Sequence, residues 1–267
     1  MPACYTHKKV GALTLRQRPV PTRKLIRKYL PYYLIGLHGP DILFYQPAGK
    51  QAEAAAFGRK LHHVPFSEFF DNAREVIRNS EDDRQLVYLY GYLCHLFSDN
   101  RIHAVLPGMY EKAGVTHEKL EAELDRFLMN GDGYDPLTYP VAAHIACNRE
   151  VAHVIAPFYL GVSETQVLLC LAAMKAGFGL SRSASKTYRK VAAEVMEFAG
   201  QSKKVASMIM SGQESEACAP FMPQLRLLTD ESAAEAAKAI EEVGKYIFFD
   251  EIVPNYIAFR MDGQKDA

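Results

Sequence analysis

Three residues able to bind a divalent cation stand four apart in one short stretch: His95, Asp99 and His103. On a helix, residues four apart lie one above another on the same face. Two imidazoles and a carboxylate would therefore form a ladder along a single stripe. The residues between them include Leu96, Phe97 and Ile102, so this helix is expected to be buried. A buried stripe of such groups is costly unless something satisfies it, and a metal ion would use all three. A second, shorter ladder follows, with His117 and Glu121 again four apart.

Further candidates precede the ladder. His7 lies near the start of the chain. Asp41 follows Gly39-Pro40 and is flanked by apolar Leu37, Ile42, Leu43 and Phe44. Glycine and proline stop a helix there, so Asp41 belongs to a turn, as a ligand or as a helix N-cap. His62 and His63 are adjacent and point in different directions on a helix, so at most one faces a given site. The combined set is His7, Asp41, His62 or His63, His95, Asp99, His103, His117 and Glu121. It offers nitrogen and oxygen donors without thiolate, which suits catalytic zinc. The set exceeds what one tetrahedral ion takes, so it fits two or three ions sharing a bridging carboxylate. His38, His144 and His153 read as histidines satisfied in the core. Glu150 and His153 form a single ExxH where a di-iron bundle needs two, so they read as a structural pair or a surface feature. Glu118 and Asp125 read as an exposed helical face, in preference to groups that orient ligand histidines from behind.

The elements that must position these residues are helical throughout. Apolar spacing predicts helices over 22–33, with Leu25, Ile26 and Leu30 inward, and over 51–79 with a break at Pro65. The ladder helix runs from about Asp83 to about Arg101 and is followed by a stop and a turn. Thr116 is an N-cap for the next helix, which ends at Asn130-Gly131-Asp132-Gly133. Later helices are expected over 141–155, 163–178, 184–209 and 230–247, with a loop over 211–229. The expected fold is a single all-α domain over residues 1–267, its metal-binding half at about 1–135 and its helical C-terminal half at about 136–267.

Lys and Arg total 31, as do Asp and Glu, so no net field favours nucleic acid or an anionic membrane. The basic residues Arg16, Arg18, Arg23, Lys24, Arg27 and Lys28 read as a solvated face rather than a docking patch. The five cysteines include no CxxC pair and are expected as reduced, mostly buried thiols. The start lacks the apolar core of a secretory signal, and the apolar run Val167–Met174 suits a buried helix rather than a membrane span. A cytoplasmic protein is expected.

With these motifs in place, the chain resembles the zinc-dependent phospholipase C family. The matching pieces are Tyr5-Thr6-His7, Gly39-Pro40-Asp41, Leu61-His62-His63, His95-x3-Asp99-x3-His103 and His117-x3-Glu121, in the family's order. The resemblance implies a helical domain with a trinuclear zinc centre that cleaves phosphodiesters. It implies that Asp41, His62, His95 and Asp99 hold one ion, and that His103, His117 and Glu121 hold a second. His7 and a bridging oxygen of Asp99 would hold a third. In secreted members an N-terminal tryptophan completes that third site. Here the chain reads Met1-Pro2-Ala3, and a prolyl amine freed by removal of Met1 would have to serve instead. Two zinc ions about 3.5–4 Å apart lower the pKa of a bridging water toward neutrality, and the hydroxide attacks phosphorus in line. Asp41 would orient that water or accept its proton. The implied substrate is a phosphodiester, either a phospholipid head group met at a membrane surface or a soluble diester. The competing readings are a nuclease or nucleotidase on the same scaffold, and a metal-stabilised binding protein without turnover.

Overall fold

The computed structural model describes residues 4–47, 52–198, 209–249 and 251–264, and all regular structure among them is helical. The main elements are α1 (Cys4–Arg16), α2 (Val20–Lys28), α3 (Leu30–Gly36), a 3₁₀ stretch Gly39–Tyr45, α4 (Ala52–His63) and α5 (Phe66–Ser80). They continue with α6 (Asp83–His103), α7 (Leu106–Ala113), α8 (His117–Gly131), α9 (Arg149–Ile155), α10 (Glu164–Leu180), α11 (Lys186–Phe198) and α12 (Met222–Phe248).

Helix α6 is the axis of the fold. The Asp82 side chain caps it by accepting from the Arg84 amide, and every side chain from Val87 to Asp99 is buried. A helix apolar on all sides belongs inside the molecule, and α6 is enclosed chiefly by α3 and α12. Helix α3 approaches where two glycines meet. A Cβ on Gly36 would lie 2.2 Å from the Tyr88 carbonyl oxygen, and one on Gly91 would lie 2.1 Å from that of Tyr33. That contact sets the turn after α3 beside the next turn of α6, where His95 stands. Helix α1 packs against α6, α8 and α12.

Several boundaries differ from the sequence reading. The helix expected over 22–33 is divided at Tyr29, because Pro31 cannot continue the hydrogen-bond ladder. Ile26 is buried as expected, but Leu30 starts α3 and is 36% exposed. After His103 the turn leads at once into α7, whose first turn tolerates Pro107. Residues 141–148 form turns rather than helix, and α9 starts only where Asn148 accepts from the Val151 amide. The loop expected over 211–229 ends early, since α12 begins at Met222 with Pro223 in its first turn, where a missing N–H does no harm. The helix expected over 184–209 is present as α11 to Phe198, and 199–208 lie outside the described residues. Among the described residues no helix is long and apolar enough to cross a membrane.

Candidate metal centre

Helix α6 presents His95, Asp99 and His103 toward one corner, and four other segments converge on it. The turn after α3 passes directly over the His95 ring. Gly39 makes this possible: its φ is +47°, and a Cβ there would lie 2.3 Å from His95 Cδ2. The turn delivers Asp41 into the interior, 3% exposed, so it does not serve as a helix cap at the surface. From the end of α4, His62 donates its Nδ1 proton to the Gly58 carbonyl at 2.8 Å. That bond aims Nε2 inward, 3.0 Å from Asp41 Oδ1 and 3.6 Å from Asp99 Oδ2. From α1, His7 Nε2 comes within 3.3 Å of Asp99 Oδ1. Donor atoms of Asp41, His62, His95 and Asp99 all lie within 4.8 Å of one another.

A second group lies beside the first. Donor atoms of His103, His117 and Glu121 also fall within 4.8 Å of one another. Thr116 caps α8 by accepting from the Lys119 amide, and this fixes His117 on the first turn. His117 Nε2 is 3.0 Å from Glu121 Oε1, and His103 Nε2 is 3.3 Å from the same oxygen. The His103 Nδ1 proton goes to the Met261 carbonyl at 3.2 Å. Asp99 stands between the groups, with Oδ2 3.4 Å from His95 Nε2 and 3.7 Å from His103 Nδ1.

Polar atoms within this corner are poorly satisfied by protein partners. Both ring nitrogens of His95, Asp41 Oδ1, Asp99 Oδ2, His7 Nδ1 and His117 Nε2 are buried without a hydrogen-bond partner. His62 Nε2 and Asp41 Oδ1 stand 3.0 Å apart, as expected of donors arranged around a shared point. Burial pushes the His95 imidazole down to about 4 and keeps it neutral, so its lone pair is available. Burial would raise Asp41 and Asp99, yet the surrounding histidines hold both carboxyls below the usual range. Glu121 is likewise held well below it despite burial, with His117 and His103 alongside. Burial opposes charge on His103, but Asp99 and Glu121 bring it up to about 9. The result is an array of anionic oxygens and imidazole nitrogens around an uncompensated centre, a donor set that fits zinc.

A family model described as zinc-dependent phospholipase C matches residues 6–161, more than half of the chain. The chain belongs to the zinc-dependent phospholipase C family. Both donor groups lie wholly inside the matched region. The family's activity is hydrolysis, and its cofactor is zinc. Searches of curated proteins and of solved structures returned no match.

The remaining sequence candidates fall elsewhere. His63 turns outward and pairs through Nδ1 with Asp262 Oδ2 at 2.8 Å, so the structure brings His62 rather than His63 into the group. Glu150 and His153 do not pair with each other: Glu150 accepts from Tyr32 and Arg84, and His153 pairs with Glu164. Arg18 departs from the solvated basic set, being buried with its guanidinium 3.4 Å from Glu241. Met1, Pro2 and Ala3, the proposed source of a third-site amine, lie outside the described residues.

Asp125 overturns its reading as an exposed residue, since it is 1% exposed. Its carboxylate accepts from the Tyr5 and Thr6 amides at 3.0 and 2.8 Å and from the Thr6 hydroxyl at 2.9 Å. Arg182 closes on its other side at 3.2 Å. These bonds fix the first turn of α1 and hence His7. The spacing held a clue, because Asp125 continues the ladder of His117 and Glu121 by a further four residues. No local spacing marks the tail. There Asn100 donates to the Arg260 carbonyl at 2.7 Å, and the Asp262 amide donates to the His62 carbonyl at 3.2 Å. The segment thus straps the ends of α4 and α6 together from outside the matched region.

A cavity of about 270 Å³ opens over the second group and reaches His62 of the first, its lining completed by Phe44, Arg59, His103, His117 and Asp262 among others. Phe44 stacks on His62 with ring centroids 5.0 Å apart and gives the cavity an apolar wall. Arg59 was not singled out by the sequence, where nothing distinguishes it from other helical basic residues.

Proposed function

We propose that the protein hydrolyses phosphodiesters of the phospholipase C type, with two or three zinc ions in this corner. Asp41, His62, His95 and Asp99 would hold one ion, and His103, His117 and Glu121 a second. His7 and Asp99 would contribute to a third. Zinc supplies Lewis acidity and brings water toward ionisation near neutral pH. The observation that carries the reading is His95, fully buried with neither ring nitrogen hydrogen-bonded, facing two ionised carboxylates. A core histidine without such a purpose would find a partner.

The chain's own residues then divide the work. The Nδ1 protons of His62 and His103 are committed to backbone carbonyls, which leaves each Nε2 as the donor. Asp41 orients the attacking water and accepts its proton at Oδ1, an atom the protein leaves unpartnered. Arg59, on the exposed face of α4, binds non-bridging phosphate oxygens as the diester enters. Phe44 packs against the apolar part of the leaving or retained group. The substrate is a phospholipid head group reached by peripheral membrane contact, or a soluble phosphodiester of similar size.

The test is turnover of a chromogenic phosphodiester by zinc-loaded protein, compared with Asp99→Asn. Turnover lost in the variant supports the reading. Fully loaded wild type that hydrolyses no phosphodiester overturns it.

A further inference from the structure

A second cluster of metal-ligating side chains lies outside both groups already described. Cys4 Sγ and ring nitrogens of His38 and His144 all lie within 4.8 Å of one another. They come from three distant segments: the first turn of α1, the turn after α3, and the non-helical stretch before α9. Cys4 and His38 are each 1% exposed, and His144 is half-buried on the solvent side.

The three groups leave much of their bonding capacity unused. His38 and His144 meet Nε2 to Nε2 at 2.9 Å, with rings inclined by 17°, so one N–H proton serves both. His144 Nδ1 is buried without a partner. The Cys4 thiol has a long contact to the Val141 carbonyl, at 3.6 Å. Two imidazoles and a thiol that draw together this way match the collapsed, metal-free form of a three-ligand site.

We propose that Cys4, His38 and His144 form a separate site for a thiophilic divalent cation, zinc in the first instance, that ties the 140–148 segment to α1 and α3. Tetrahedral zinc with bonds of about 2.0–2.3 Å sets its donors about 3.4–3.7 Å apart. The imidazole pair must therefore open slightly and the sulfur draw in, both changes within the span the cluster already covers. Loading releases the thiol proton to solvent. The shared N–H proton moves to the Nδ1 of its own ring, so both Nε2 lone pairs face the ion. The fourth position is left to water.

The surroundings suit such a ligand set. Burial holds His38 well below its ordinary range and His144 at about 4, so protons do not compete for their lone pairs. Burial raises the Cys4 thiol, with Asp125 adding to the effect, and a cation would reverse that by taking the thiolate. The site is also chemically distinct from the proposed catalytic centre, which contains no sulfur. The inference does not depend on that centre, and the two can fail separately.

Cobalt(II) substitution tests it, because a thiolate ligand produces an intense near-ultraviolet charge-transfer band that nitrogen and oxygen ligands do not. Full-length protein saturated with cobalt is expected to show the band. Cys4→Ser should abolish it and lower bound metal by one equivalent, while Asp99→Asn should leave it intact. A wild type without the band, or a band that survives Cys4→Ser, overturns the proposal. His144→Gln, altered on the solvent side, provides the same test should Cys4→Ser fail to fold: an unchanged band would contradict the site, and a lost or displaced band would support it.

Discussion

The two donor groups beside α6 use nearly the same chemistry in opposite surroundings. Asp41, His62, His95 and Asp99 are all buried, at 8% exposure or less. In the second group Glu121 is buried, but the His117 side chain is 32% exposed and that of His103 14%. The first group is assembled by helix packing and one glycine turn. The second opens on the cavity, which His62 of the first group also lines, and donates a hydrogen bond to the tail, from His103 to the Met261 carbonyl. A site locked in the core can fix its geometry, whereas one at a mouth can exchange ligands with solvent and admit a substrate. On the proposed reading, the deep group would hold an ion for structure and catalysis and the second group an ion that faces the diester.

Removing the shared residue should produce the largest effect. Asp99→Asn is expected to lower phosphodiester turnover by more than about 100-fold, since even partners that only orient metal ligands contribute about 10- to 100-fold. It should also reduce bound zinc in elemental analysis. Retained metal and activity would erase the distinction between a bridging carboxylate and its neighbours.

The adjacent histidines provide a sharper contrast. His62→Gln should release zinc from the deep group, whereas His63→Gln should leave the metal count unchanged, because His63 pairs with Asp262 at the surface. Equal losses in both would mean that the backbone at the end of α4, rather than the Nε2 of His62, matters.

Chelation should separate the groups by exposure. Limiting chelator is expected to remove the mouth ion first, and Asn100→Ala, which loosens the strap at Arg260, should weaken that ion by about 10-fold and the deep one, whose His62 the strap also touches, by less. Stoichiometry followed against time would show two phases. A single phase would argue that the groups behave as one unit.

The smallest effect is on the metal-free fold and its pH dependence. His95 is pushed from 6.5 down to about 4, so its neutral form contributes stability above pH 6.5 that is lost as pH falls through about 4. His103 is raised from 6.5 to about 9, so its protonated form contributes stability below pH 6.5 that is lost as pH rises through about 9. Denaturation of chelator-treated protein should therefore be most resistant near pH 6.5, where neither contribution is lost. In zinc-loaded protein the alkaline decline should disappear, because the ion replaces the proton on His103. An alkaline decline that persists after loading would place the proton on another group.

Much of this architecture could be read from spacing, because helical periodicity is local. The ladder of His95, Asp99 and His103 is one face of one helix, and Thr116 caps α8 as a threonine before a periodic run should. What depended on tertiary packing was not legible. Asp125 looked like a surface acid because α8 carries many charges, and only the docking of α1 shows that its carboxylate holds the Tyr5 and Thr6 amides. Asp262 and Met261 lie far along the chain from the histidines they touch. The choice between His62 and His63 needed the direction of the last turn of α4. Proline misled at residues 107 and 223, where it opens a helix instead of ending one.

The central claim is that zinc occupies both groups in the folded protein. Anomalous scattering at the zinc edge, on crystals of protein purified with zinc, tests it most directly. The account predicts one peak among Asp41, His62, His95 and Asp99 and another among His103, His117 and Glu121. Protein that is folded and zinc-saturated yet shows no peak at His95 would contradict it.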